Sequence, residues 1–210
     1  MRGLRVKNEE EVVAGSMEMA AVSVDMANEW IDIESRRLFI DREITETILG
    51  YVGYYITRWN EEDSAAEAMD PEYRRPVVRM YINSPGGDLL ATMVVCDIMQ
   101  SSTTPINTYG QACSFSAAGL LLMSGHRRFA WRHSAFLYHA GSMELGGSLT
   151  SVHDTMSFYK KYFESVREYV LEITNIDAEE YERRYREEWY MTAKDMLHYG
   201  IIDEIIGVVK

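Results

Sequence analysis

Val77-Val78-Arg79-Met80-Tyr81-Ile82-Asn83-Ser84-Pro85-Gly86-Gly87-Asp88 is the stretch whose reading decides the fold. Its first seven residues are β-branched, apolar or aromatic, the composition of a buried strand. Ser84-Pro85-Gly86-Gly87 stops that strand at once. Asp88 to Gln100 then places Leu89, Met93, Val94 and Ile98 at helical spacing. A strand that turns through paired glycines straight into a helix is half of a parallel α/β unit.

Working outward, the alternation repeats. Arg37-Leu38-Phe39-Ile40-Asp41 reads as a strand and Glu43 to Arg58 as a helix, with Ile44, Ile48, Tyr51, Val52, Tyr55 and Ile56 three and four apart. Asn60 to Arg75 is polar, contains Pro71 and reads as a long loop. Ile106 to Tyr109 is the next strand, and Gly110 to Gly125 a second turn-to-helix unit rich in small residues. Arg128 to Trp131 and Ala135 to Tyr138 are short strands. Leu149 to Thr174 is the longest helix, Ala178 to Arg186 a charged one, Thr192 opens another, and Ile201 to Val209 is a closing strand. The fold class is therefore α/β with parallel pairing. Residues 1–29 form an N-terminal arm, either a short helix or a flexible segment, and 30–210 a single domain.

Composition narrows the function. The 210 residues are 47% hydrophobic and 26% charged, with a formal net charge of −12. That charge excludes nucleic acid as a natural partner, because a phosphate backbone needs clustered Lys and Arg. The runs Glu9-Glu10-Glu11 and Glu61-Glu62-Asp63 read as solvated surface. No apolar run reaches the ~18 residues needed to cross a bilayer, and the N-terminus has no apolar stretch of the secretory kind. Cys96 and Cys113 read as reduced core thiols of a cytoplasmic protein, with no metal spacing around them.

Two junctions carry chemistry. The paired glycines Gly86 and Gly87 leave backbone N–H groups bare at a helix mouth, where they can hold a developing oxyanion or simply make a tight turn. In Gly110-Gln111-Ala112-Cys113-Ser114-Phe115-Ser116-Ala117-Ala118, Ser114 sits where a strand gives way to a helix, in the positive end of the helix dipole, with the Phe115 N–H next to it. A serine there can equally be an N-cap. Ser116 is a second hydroxyl in the same run. Of the five histidines, His139 follows an apolar strand and precedes Ala140-Gly141, a strand end of the kind that presents catalytic groups. It can equally be a satisfied histidine at a sheet edge.

Taken together, Tyr81-Ile82-Asn83-Ser84-Pro85-Gly86-Gly87, then Gly110-Gln111-Ala112-Cys113-Ser114, then Tyr138-His139 resemble the proteolytic subunit of the Clp protease, a serine peptidase family, over roughly residues 36–208. The resemblance implies a crotonase-type spiral with a protruding long helix as a handle. It implies Ser114 as nucleophile, His139 as general base, and the N–H groups of Gly87 and Phe115 as oxyanion hole. Gly86, Asp88 and Leu89 would line the peptide by β-addition. Counting back from Tyr190-Met191-Thr192-Ala193, the family's aspartate falls on Glu188, with Glu187 and Asp177 as the other carboxylates in reach. Departures are the glutamate itself, Glu187 where the family carries arginine, Ala140-Gly141 after the histidine, and the inserted polar stretch after Asn60. The resemblance further implies stacked heptameric rings, unfolded protein or peptide as substrate, and an AAA+ unfoldase as partner. No cofactor or metal is implied, and ATP enters only through that partner, since this chain has no phosphate-binding P-loop. A catalytically silent scaffold subunit and a crotonase-type acyl-CoA enzyme are the alternative readings.

Overall fold

The computed structural model describes residues 31–141 and 146–207. The expected N-terminal arm and the last residues of the expected closing strand lie outside them. Eight strands make one mixed sheet: β1 (Ile31–Asp32), β2 (Arg37–Ile40), β3 (Val78–Ser84), β4 (Ile106–Phe115), β5 (Arg127–Trp131), β6 (Ala135–Tyr138), β7 (Trp189–Thr192) and β8 (Glu204–Ile206). The order is β1-β2-β3-β4-β5-β8, with β6 joined to β4 and β7 to β6. The β2-β3-β4-β5-β8 run is parallel, as the alternation requires, whereas β1 and β7 are antiparallel additions. Both additions are short strands that the sequence pattern did not announce.

The helices are α1 (Tyr54–Met69), entered through a π-helical turn at Leu49–Gly53, α2 (Leu89–Ser101), α3 (Ala117–Met123), α4 (Leu149–Ile173), α5 (Ala178–Arg184) and α6 (Ala193–His198). The core lies between the sheet and α2 and α3, where Leu38, Met80, Ile82, Val95, Met99, Ile106, Leu121 and Leu122 are fully buried. Side chains alternate across β3, with Val78, Met80 and Ile82 inside and Arg79 and Tyr81 outside. Helix α4 differs. Val166 and Val170 are buried near its C-terminal end, while Leu149, Met156 and Phe158 stand exposed along the rest. It projects from the body as the expected long handle.

The loop expected after Asn60 is not found. Asn60 to Met69 is helix, the second half of α1, not loop. Glu61, Glu62, Ala65, Ala66, Glu67 and Ala68 are strong helix formers, and the segment is fixed by polar contacts instead of an apolar stripe. Asp63 is fully buried and accepts hydrogen bonds from Arg36 (2.7 and 2.9 Å), the Tyr73 hydroxyl (2.6 Å) and the Thr104 hydroxyl (2.7 Å). Burial pushes its carboxyl up, but those donors outweigh burial and hold it below the usual range. Asn60 Oδ1 accepts from the backbone N–H groups of Thr103 (3.0 Å) and Thr104 (3.1 Å), tying α1 to the start of β4.

Strand β4 decides where the site falls. Its first half, Asn107 to Gly110, pairs with β5, and its second half, Cys113 to Phe115, pairs with β6. Along β3 the register runs regularly to Ile82↔Gly110, then resumes at Ser84↔Ser114, so β4 carries two residues more than β3 in between. Asn83 Oδ1 accepts from the Cys113 N–H at 3.3 Å and pins this irregularity. The strand expected to end at Tyr109 therefore runs to Phe115.

Candidate active site

The two junctions meet at the C-terminal edge of the sheet. After β3, Gly86 and Gly87 take φ of +101° and +145°. A Cβ on Gly86 would stand 2.7 Å from the Phe115 carbonyl and 2.8 Å from Ser116 Cβ, so only glycine lets the two turns touch. Ile44 donates to the Gly86 carbonyl (2.7 Å) and accepts from the Asp88 N–H (2.8 Å), a parallel bridge centred on Gly87. In such a bridge the N–H of the central residue points away from its partner. The Gly87 N–H accordingly faces the cavity that Gly87 lines. Asp88 caps α2, accepting from the Ala91 N–H at 2.8 Å, and Leu89 lines the cavity rim.

After β4, the chain turns at Ser116, which holds φ +53° and ψ −127°. A non-glycine residue at positive φ stores strain, which is the mark of a nucleophile elbow. Helix α3 begins at the next residue, so the Ala117 N–H has no intrahelical partner. His139 stands one residue beyond β6, and its Nε2 lies 2.8 Å from Ser116 Oγ.

The serine expected from sequence, Ser114, is not the one brought to His139. Ser114 is 1% exposed, its Oγ has no hydrogen-bond partner among the described residues, and its backbone belongs to the β4–β6 ladder opposite Phe136. It lies beneath the surface, while Ser116 lines the cavity and meets His139. The residue after the elbow is Ala117, whereas Phe115, the donor expected from sequence, is still strand. Phe115 instead turns its ring edge-on to Tyr190 at 6.0 Å. The available signal for Ser116 was the run Ser116-Ala117-Ala118-Gly119, whose small residues allow a helix to start hard against the sheet. A Cβ on Gly119 would sit 2.7 Å from the Phe136 ring.

The third residue is not brought into contact. The β6–β7 register ends at Tyr138↔Trp189, so one further step places Glu188 across from His139. Its carboxylate instead accepts from the Tyr190 hydroxyl at 3.2 Å. Glu187 accepts from Arg184 (3.1 Å), and Asp177 caps α5 by accepting from the Glu180 N–H (2.8 Å); neither approaches His139 by any hydrogen bond among the described residues.

Beside the Ser116–His139 pair opens a cavity of about 550 Å³, walled by Leu120, Tyr159, Phe163, Val166, Tyr181 and Tyr185. The hydroxyls of Tyr138 and Tyr181 bond each other at 2.8 Å beneath it, and burial pushes the Tyr181 phenol up to about 12. Among the described residues no group of side chains is arranged to hold a metal ion.

A strained serine at a strand-to-helix elbow, hydrogen-bonded to histidine beside two backbone donors that the turns expose, is the arrangement of a serine hydrolase. Residues 60–209 match the family model of the Clp protease, and the chain belongs to that family. It is 31% identical over 143 residues to the ATP-dependent Clp protease proteolytic subunit 2 of Thermobifida fusca, covering 66% of this chain and 69% of that one. It is 26% identical over 176 residues to the corresponding subunit 2 of Corynebacterium diphtheriae, covering 83% of each. Subunit 1 of Rhodopirellula baltica matches at 26% over 140 residues, 66% of this chain and 62% of that one. The α/β sheet with its long helix fits this family's fold.

Proposed function

We propose that the chain is a serine endopeptidase whose nucleophile is Ser116. The observation that carries this reading is the 2.8 Å contact between Ser116 Oγ and His139 Nε2, made by a serine held at φ +53°. In the reaction His139 takes the Ser116 proton as Oγ attacks the peptide carbonyl carbon. The Gly87 and Ala117 N–H groups hold the oxyanion. The tetrahedral intermediate collapses to an acyl-enzyme as His139 returns the proton to the leaving amine. Water, deprotonated by the same imidazole, then releases the new carboxylate and regenerates Ser116. The substrate strand enters beside Gly86 to Leu89, and the apolar cavity takes the side chain that precedes the scissile bond.

Glu188 is the carboxylate of the triad in this reading. Its register position opposite His139 supports that role, which requires its carboxylate to leave the Tyr190 hydroxyl for the imidazole. The same Tyr190 bond favours the second reading, a subunit that shapes an assembly without cleaving. Unfolded protein is the substrate, rings of copies of this chain enclose the sites, and a separate ATPase supplies the chain to be cut; the relatives' names, proteolytic subunits of an ATP-dependent protease, support this. No helix among the described residues is long and apolar enough to cross a membrane, which fits a cytoplasmic enzyme. No metal or organic cofactor takes part. Membership of the Clp protease family leaves the acyl-CoA reading without support.

Hydrolysis of a fluorogenic dipeptide amide by the assembled protein tests the proposal. Turnover that is abolished in both His139→Ala and Ser116→Ala supports it, and loss of about four orders of magnitude in Glu188→Ala adds the third residue. A folded, assembled wild type without turnover supports the scaffold reading.

A further inference from the structure

The cavity beside Ser116 has an apolar body and a polar floor. Leu120, Phe163 and Val166 supply the body. Its charged lining residues, Glu43, Asp88 and His139, belong to the mouth. Asp88 follows Gly87, Glu43 precedes the Ile44 bridge to that turn, and His139 bonds Ser116. The floor carries the hydroxyls of Tyr138 and Tyr181, 2.8 Å apart. Both residues are deeply buried, 7% and 2% exposed. The Tyr181 ring is fixed by Tyr185, stacked on it at 5.5 Å, and by the Arg167 guanidinium 5.6 Å away.

The hydroxyl pair is short of one acceptor. Burial raises both phenols, so each keeps its proton. One hydroxyl donates to the other, and the second proton meets no acceptor among the described residues. The two oxygens also keep lone pairs that accept nothing. A buried donor left without an acceptor is costly. This one belongs to residues that line the cavity, so a side chain entering there can satisfy it.

Such a side chain must offer an acceptor and a donor side by side, which a carboxamide does on neighbouring atoms. Its oxygen accepts the unmatched hydroxyl proton, and its N–H donates to the other tyrosine oxygen, closing a cycle of three hydrogen bonds. A carboxylate has no proton to give, an ammonium has no acceptor, and a hydrocarbon has neither. Glutamine carries its carboxamide on methylenes that suit the apolar body. We propose that the cavity selects glutamine as the residue before the scissile bond, with Tyr138 and Tyr181 setting that specificity. The inference rests on the peptidase reading for the orientation of the peptide.

Equilibrium binding of cleavage products tests it without turnover. The terminal side chains of acetyl-Ala-Ala-Gln and acetyl-Ala-Ala-Met are similar in length, and calorimetric titration into the assembled protein gives the ratio of their dissociation constants. The wild type favours the glutamine peptide. Tyr138→Phe/Tyr181→Phe shifts the ratio about thirtyfold toward methionine, as expected for the loss of two neutral hydrogen bonds. Tyr138→Phe alone, which keeps one hydroxyl, shifts it about fivefold. A general loosening of the cavity weakens both peptides and divides out of the ratio. A wild type that favours methionine or binds neither peptide, or a ratio that both variants leave unchanged, overturns the proposal. Hydrolysis of the matching fluorogenic amides is read separately. A ratio shift without turnover upholds the carboxamide recognition and removes the peptidase reading; turnover without a ratio shift does the reverse.

Discussion

The two strand-to-helix junctions solve the same geometric problem by different means. After β3 the chain must enter the left-handed region twice, and it uses Gly86 and Gly87, where that conformation carries no side-chain strain. After β4 it must do so once, at a position where glycine would serve the backbone equally well, and it keeps Ser116. The first junction offers backbone donors, so it needs no side chain; a Cβ at Gly87 would run into the Ile44 carbonyl. The second has to present a hydroxyl to His139, and strain at Ser116 accompanies that hydroxyl. Where a sharp turn offers only backbone groups the sequence shows glycine; where it also presents a side chain it shows a residue that looks ordinary.

Several substitutions press on this contrast. The largest effect is expected at the elbow: Ser116→Ala lowers kcat for peptide hydrolysis by about 10⁶-fold with the fold intact, read by single-turnover assay alongside circular dichroism. Next is the glycine junction. Gly87→Ala displaces the loop against Ile44 and turns one oxyanion donor away, lowering kcat about 10²- to 10³-fold while KM changes little.

Away from both junctions, Asp63→Asn leaves Arg36 without its buried partner and lowers unfolding free energy by about 3 kcal/mol in urea titration. Because the folded Asp63 carboxyl is held below its ordinary value, its contribution is full above the unfolded value of about 4. It is lost as pH falls through the lower folded value. The wild type therefore loses more stability than the Asn variant on acidification below about pH 4. The smallest effect belongs to Ser114→Ala. Its hydroxyl has no partner among the described residues, so its removal leaves turnover unchanged and stability equal or higher by up to about 1 kcal/mol.

Much of the architecture was legible because it rests on local rules. The strand Val78–Ser84, the glycine turn, helix Leu89–Ser101 and helix Leu149–Ile173 follow from periodicity and turn residues. His139 was legible as a strand end. Which serine meets His139 was not, because it depends on pairing between strands. Between Gly110 and Ser114, β4 gains two residues over β3, and that excess equals the distance from Ser114 to Ser116. Nothing in Gln111-Ala112-Cys113 marks the irregularity; the Asn83 side chain that pins it is thirty residues away. Helix Tyr54–Met69 was missed in its second half for a related reason. Its inward residues there are Asp63 and Asn60, polar groups satisfied by Arg36, Tyr73 and the 103–104 backbone, so the apolar stripe that marks a helix is absent.

In the proposed reaction Ser116, not Ser114, is the activated hydroxyl. Labelling the assembled wild type with a fluorophosphonate, followed by peptide mapping of the adduct, tests it most directly. The account predicts a single adduct on Ser116, absent from Ser116→Ala and fully retained in Ser114→Ala. An adduct on Ser114, or labelling that survives Ser116→Ala, would contradict it.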